Sequence, residues 1–151
     1  DGPVLVDFPV ILIQNPVPKI YSYSLSSAIA EKFEAIVKLS YANSRMKDFY
    51  DILFLAERNS FEIKALKEAI TETFKNRKTP LTGVEGIFCK GFTHAPENDK
   101  KWKTFVKRNS LGVTDDFREV MDKIIKFISP LFEPKSKVEK KAWNIKSFSW
   151  T

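Results

Sequence analysis

Hydrophobic residues follow two rhythms along this chain. Val4-Leu5-Val6-Asp7-Phe8 and Val10-Ile11-Leu12-Ile13 are β-branched-rich runs broken by Pro3, Pro9, Pro16 and Pro18, which predicts a few short strands over residues 3 to 23. So few strands do not form a stable sheet alone, so they are expected to be the edge of a larger one. From Leu25 onward the spacing turns helical. Leu25, Ile29, Phe33 and Ile36 predict a helix capped by Ser24 or Ser26 and running to about Leu39. A second follows from about Arg45 to Glu57, with apolar residues nearly all the way round it, so it is expected to be central. A third is predicted over 62 to 75. The stretch from Thr79 to Pro96, with Gly83, Gly86 and Gly91, predicts a loop enclosing a short extended Ile87-Phe88-Cys89 piece. A short basic helix from Asp99 to Asn109 and a fifth helix from Asp115 to Ser129, capped by Thr114 and stopped by Pro130, complete the series.

The resulting expectation is an α+β fold with helices dominant. It divides into 1–23 as the strands of an incomplete sheet, 24–134 as a bundle of about five helices, and 135–151 as a basic aromatic tail. That tail carries Trp143, Phe148 and Trp150, with either the bundle or a partner to dock on.

A length of 151 residues, 43% of them hydrophobic, allows a core of ordinary size that needs neither disulfides nor metal. The uncharged stretch from Phe8 to Pro18 is too short to span a bilayer, and no basic segment precedes it as in a signal peptide. Together with the single Cys89 this points to a cytoplasmic protein without a membrane partner. Cys89 itself is expected to be a small, half-buried residue. His94 is isolated and lacks ligand spacing, so a surface loop position is expected. Net charge is +6 but unevenly spread: residues 75–108 carry nine basic against three acidic side chains, and 135–151 carry five against one, while the remainder is slightly acidic.

Two places on the helical pattern do not fit a purely structural reading. Lys32 falls inside the apolar arc of the first helix, between Leu39 and Leu25, so it is either a lysine snorkelling from the stripe or a cation aimed at phosphate. On the second helix Asp48 and Asp51 share one face, and Arg45 stands three residues before Asp48. Carboxylates on so apolar a helix require partners. Either Arg45 and Asp48 form a structural pair, or Asp48 lies opposite Lys32 and holds it.

Ala30-Glu31-Lys32 followed by Asn43-Ser44-Arg45-Met46-Lys47-Asp48-Phe49-Tyr50-Asp51 resembles the A-E-K and N-S-R-x-K-D-x-x-D signature of the AbiEii/AbiGii toxin family, whose members are nucleotidyltransferase-like. Thr71-Glu72-Thr73-Phe74, Arg77-Lys78-Thr79-Pro80-Leu81 and Lys101-Trp102-Lys103-Thr104-Phe105 are similar to that family as well, so the likeness covers most of residues 20 to 132. It implies that Lys32 and Asp48 belong to an active site. Lys32 would contact a nucleoside triphosphate, with Arg45 and Asp51 also in the nucleotide-binding set, and Asp48 would orient the nucleotide. It also implies Mg²⁺ as cofactor, an RNA acceptor, tRNA in those members with an assigned substrate, and a cognate antitoxin as partner. Asp7, in the middle of a strand, resembles the third metal-binding carboxylate of polymerase-β-like transferases; an exposed acid on an edge strand explains it equally well.

The departure from the family pattern lies upstream. A Gly-Gly or Gly-Ser turn followed by D-x-D is not found in the chain, and Asp115-Asp116 fits acids in the first turn of a helix. With Asp1 in place of Met, this gives the expectation of a sequence cut from a longer protein, inactive without its N-terminal part. The basic segment offers Lys75, Arg77, Lys78, Lys101, Lys103, Lys107 and Arg108 as an RNA-facing surface, or as a solvated face with its aromatics turned inward. A non-catalytic helical module that binds RNA or an antitoxin is the alternative to a transferase, and a remnant without activity is the third possibility.

Overall fold

The stripe of Leu25, Ile29, Phe33 and Ile36 is buried along one long helix, α1 (Lys19–Leu39). The computed structural model describes residues 19–42, 45–133 and 141–151. After a 3-10 turn at Ser40–Ala42 come α2 (Met46–Arg58) and α3 (Ile63–Asn76), and α1 packs against both. α2 buries Met46, Phe49, Ile52, Leu53, Leu55 and Ala56, and it touches α1, α6 and α7, which makes it the central helix that its all-round apolar pattern predicts. α1 starts at Lys19, so residues 19–23 belong to the helix and not to the strands, and neither Ser24 nor Ser26 is its cap. The strands expected before them lie outside the described residues.

A second 3-10 turn at Leu81–Gly83 leads into two short helices, α4 (Val84–Phe88) and α5 (Lys90–Thr93), where the glycines predict a loop with an extended piece. Burial explains the difference: Val84, Ile87 and Phe92 turn into the core, and only a helical spacing puts Val84 and Ile87 on one side. Gly83 is required by close approach, since a β-carbon there would sit 2.9 Å from Val37 Cγ1.

α6 (Pro96–Arg108) begins three residues before the expected Asp99, with Pro96 in its first turn, where the missing N–H costs nothing. α7 (Phe117–Ile128) is capped by Asp116 and not by Thr114. Asp116 Oδ1 accepts from Glu119 N at 2.8 Å, and Glu119 Oε1 accepts from Asp116 N at 2.9 Å, so each side chain satisfies an otherwise orphaned backbone donor of the other residue. Asp99 Oδ1 accepts from Phe117 N at 2.9 Å, and the Trp102 indole donates to Asp115 O at 2.9 Å, which ties α6 to the start of α7.

The described part of the tail docks on the bundle. A hairpin of β1 (Trp143–Asn144) and β2 (Ser149–Trp150) pairs antiparallel, Trp143 opposite Trp150. Trp143 donates from its indole to Ala56 O at 2.7 Å and from its backbone to Phe61 O at 2.8 Å; Trp150 donates to Phe127 O at 2.9 Å. The Phe127 ring lies 4.8 Å from that of Trp143 and stacks on Trp150 at 5.8 Å. The hairpin therefore closes the end of the bundle where α2 runs into α3. Seven α-helices and this hairpin make the described residues predominantly helical, and no described helix is long and apolar enough to cross a membrane.

Candidate functional site

The contact between α1 and α2 brings the unusual charges together. Lys32 on α1 and Asp51 on α2 form an ion pair, Nζ to Oδ2, at 2.8 Å, and Lys47 reaches the same oxygen from one helical turn away at 2.7 Å. Lys32 is largely covered, with 21% of its side chain exposed, while Lys47 is 69% exposed. One carboxylate oxygen thus holds two ammonium groups, one from inside the bundle and one from the surface.

Asp48 stands beside them on the same face of α2. Its side chain is 5% exposed, and its nearest cation is Arg45, whose Nε lies 3.6 Å from Oδ2, beyond hydrogen-bonding distance. Among the described residues that buried oxygen has no hydrogen-bond partner. Burial pushes the Asp48 carboxyl above its usual 3.8, against the pull of Arg45, Lys32 and Lys47, and the negative charge of Asp51 adds to the rise. The expected structural pair Arg45–Asp48 is therefore present but loose. Lys32 pairs with Asp51, and its charge also acts on Asp48.

Glu34 is a buried acid that helical spacing alone does not single out. Two residues after Lys32, it faces α3 instead of α2, accepts from Arg77 Nη1 at 3.0 Å and from Thr79 Oγ1 at 2.5 Å, and is 1% exposed. A faint signal exists: Ala30 and Val37 widen the apolar arc of α1, and Glu34 borders it. Arg77, expected on an RNA-facing surface, spends its guanidinium on this acid and lies 4.0 Å from Glu31 as well.

The other basic residues are differently placed. Lys75, Lys78, Lys103, Lys107 and Arg108 are exposed and Lys101 is half-buried, with Lys103 paired to Asp99 at 2.8 Å. The aromatics interleaved with them turn inward: Phe92 and Trp102 are buried, Phe88 and Phe105 half-buried. His94 is exposed after α5, as expected. Cys89 is exposed, not half-buried, and its thiol donates to Gly86 O at 3.3 Å.

Asp7, the weaker candidate for a metal ligand, lies outside the described residues. Those described contain no group of three or more His, Cys, Asp or Glu side chains arranged to hold a metal ion. The α1/α2 cluster sets Lys32, Lys47 and Arg45 against Asp48 and Asp51. Such a set suits an anion better than a hard divalent cation, which asks for several oxygen ligands. What it does suit is a phosphate group, met by ammonium and guanidinium donors that buried acids keep in place.

Comparison with curated proteins and with solved structures returns no match. The family model described as nucleotidyl transferase AbiEii toxin, type IV toxin–antitoxin system, matches residues 1–123, a span that holds α1 to α6 and the whole α1/α2 cluster. The chain belongs to the AbiEii nucleotidyl transferase toxin family of type IV toxin–antitoxin systems.

Proposed function

We propose that this protein handles a nucleoside triphosphate at the α1/α2 contact and transfers its nucleotide to RNA, tRNA being the acceptor that the family resemblance favours. The observation carrying this reading is the Lys32–Asp51 pair next to the buried Oδ2 of Asp48, which has no hydrogen-bond partner among the described residues. A buried polar atom without a partner is costly, and such costs are retained where a ligand completes the site. In the transfer an RNA hydroxyl oxygen bonds to the α-phosphorus as its proton passes to water, the bond from that phosphorus to the bridging oxygen breaks, and the oxygen leaves with the pyrophosphate. Lys32 meets charge on the phosphate oxygens, a role in which positioned cations are most effective when partly shielded from water. Asp51 holds Lys32 in that direction, and Arg45 widens the cationic wall. Asp48 accepts a hydrogen bond from the bound nucleotide and so orients it. Mg²⁺ belongs to this reading as a supplied cofactor, and the family's toxin–antitoxin setting makes a cognate antitoxin the expected protein partner.

The test is incorporation of labelled nucleotide into RNA by the protein as its own cell makes it, with Mg²⁺ and each of the four triphosphates. Lys32→Ala and Asp48→Asn should each lower incorporation by about a hundredfold or more, the scale of losing one positioned group at a charge-developing centre. Unchanged incorporation in Lys32→Ala would remove the α1/α2 contact from the active site. A second reading, a basic module without catalysis, is favoured by the exposed Lys75, Lys78, Lys107 and Arg108. It is selected if RNA binds, weakens steeply with salt, and gains no nucleotide under any of these conditions.

A further inference from the structure

A second site lies on the opposite flank of α2, where a cavity of about 310 Å³ opens between α2, the loop before α7, and α7 itself. That volume is at the small end of the range for ligand pockets, about 300 to 1,000 Å³. Its walls differ from the α1/α2 cluster in kind. Tyr50 and Phe54 line it with their rings 5.8 Å apart, and the Arg58 guanidinium lies 3.8 Å over the centre of the Phe54 ring. The two rings are inclined by 36°, and Arg58, 54% exposed, covers the Phe54 face with its own planar group. The far side is polar. Lys123 is held by Asp115 at 2.9 Å and more loosely by Glu57 at 3.7 Å.

Two ammonium or guanidinium groups and two carboxylates leave this cavity near neutral, so it offers little to a phosphate. A planar guanidinium and a phenol ring near a carboxylate set beside an ammonium match a different object, a heterocycle with donors and an acceptor on one edge. Guanine has that edge: N1–H and the 2-amino group donate side by side, which a single carboxylate accepts, and O6 accepts from a neighbouring ammonium. Glu57 and Lys123 supply this pair when the loose contacts of Glu57, 3.7 Å to Lys123 and 3.5 Å to Arg58, open, while the tighter Asp115 contact keeps Lys123 in position. Lys107 and Arg108, exposed at the end of α6, precede the lining residue Leu111 by four and three residues and are cations suited to the sugar-phosphate chain that would run on from an inserted base.

We propose that this cavity binds one unpaired guanine of a bound RNA, stacked on the Arg58 guanidinium beside Tyr50 and read by Glu57 and Lys123. The assignment rests on RNA being what the protein engages, which the transferase and binding-module readings share, and it uses no residue of the α1/α2 cluster, so the two sites are tested apart. The experiment is fluorescence anisotropy at low salt with the full chain and labelled oligonucleotides of about eight nucleotides, all-uridine or with one central guanosine or inosine. Guanosine should tighten binding about tenfold over all-uridine, the discrimination expected of one bidentate base contact. Inosine, lacking the 2-amino group, should lose most of that gain. Glu57→Gln, a half-exposed and near-isosteric change, should erase the guanosine preference while leaving all-uridine affinity in place, and Lys32→Ala should keep the preference. Equal affinity for the three oligonucleotides, no binding at all, or a preference that survives Glu57→Gln would each overturn the proposal. A protein that transfers no nucleotide yet prefers guanosine would retire the transferase reading and leave this one standing.

Discussion

Glu34 and Asp48 are both buried carboxylates at the surface of α1 or α2, and they are treated in opposite ways. On the α3 side, Glu34 accepts from a guanidinium at 3.0 Å and from a hydroxyl at 2.5 Å. On the α2 side, Asp48 keeps an oxygen without a hydrogen bond among the described residues, its closest cation 3.6 Å away. Taking a carboxylate out of water costs several kcal/mol in either place, and only strong hydrogen bonds return it. Glu34 is thus part of what holds the first three helices together. Asp48 is a standing cost, tolerated in the same contact where Lys32 meets Asp51. One side of α1 is finished as structure, and the other is where we propose that a nucleotide binds.

The largest effect should come from breaking the finished side. Arg77→Ala leaves Glu34 buried with Thr79 as its hydrogen-bond donor, and loss of one partner from a buried pair typically costs about 3 to 5 kcal/mol. Because Arg77 is 46% exposed and water will enter, the lower end, about 3 kcal/mol, is expected in urea denaturation. A loss below about 1 kcal/mol would mean that Glu34 is not dependent on Arg77, and the contrast with Asp48 would collapse.

Much of this arrangement is legible in the chain, and the exceptions share a cause. Helical spacing locates the cores of α1, α2, α3, α6 and α7, because burial of one face is written into the sequence every three or four residues. Lys32 stands out for the same reason, a charge inside an apolar arc. Its partner is not legible: Asp48 and Asp51 share a face, and the choice between them depends on how far α1 is displaced along α2. Glu34 is satisfied from 43 and 45 residues away, across a helix whose end position no local pattern records. In the segment 81–93, glycine chemistry argues for a loop, while the core positions of Val84, Ile87 and Phe92 impose short helices. Contacts made at long range decide each of these.

Asp48 responds to pH in a direction that follows from its burial. Burial raises the Asp48 carboxyl above 3.8 in the folded protein, so the folded chain holds this proton more tightly than the unfolded one. Below the unfolded value both forms are protonated and Asp48 contributes nothing. As pH rises past it, the unfolded chain ionises first, and the fold loses stability until the folded carboxyl has ionised too. Asp48→Asn keeps the shape and removes the ionisation. It should therefore match the parent protein at about pH 3.5 and become more stable than it at about pH 7, by about 1 kcal/mol, the low end of what a buried polar group without a partner costs. Thermal unfolding at the two pH values measures this. If Asp48→Asn were instead less stable at neutral pH, Asp48 would be acting as a structural acid like Glu34.

The smallest expected change separates the two lysines on Asp51. Both lie within 2.8 Å of Oδ2, so distance alone gives them equal weight. Burial does not. Lys47 is 69% exposed, and an exposed pair one helical turn apart contributes about 0.3 to 0.5 kcal/mol, less as salt is added. Lys32 is mostly covered, so its attraction to Asp51 is less screened, and its removal leaves the 7%-exposed acid to Lys47 alone. Lys47→Ala should accordingly lower stability in urea denaturation by no more than about 0.5 kcal/mol and should leave most nucleotide transfer intact. Lys32→Ala should affect both more strongly. Equal losses from the two variants would mean that Asp51 organises a shared pair of cations, with the outer lysine as much a part of the proposed phosphate site as the inner one.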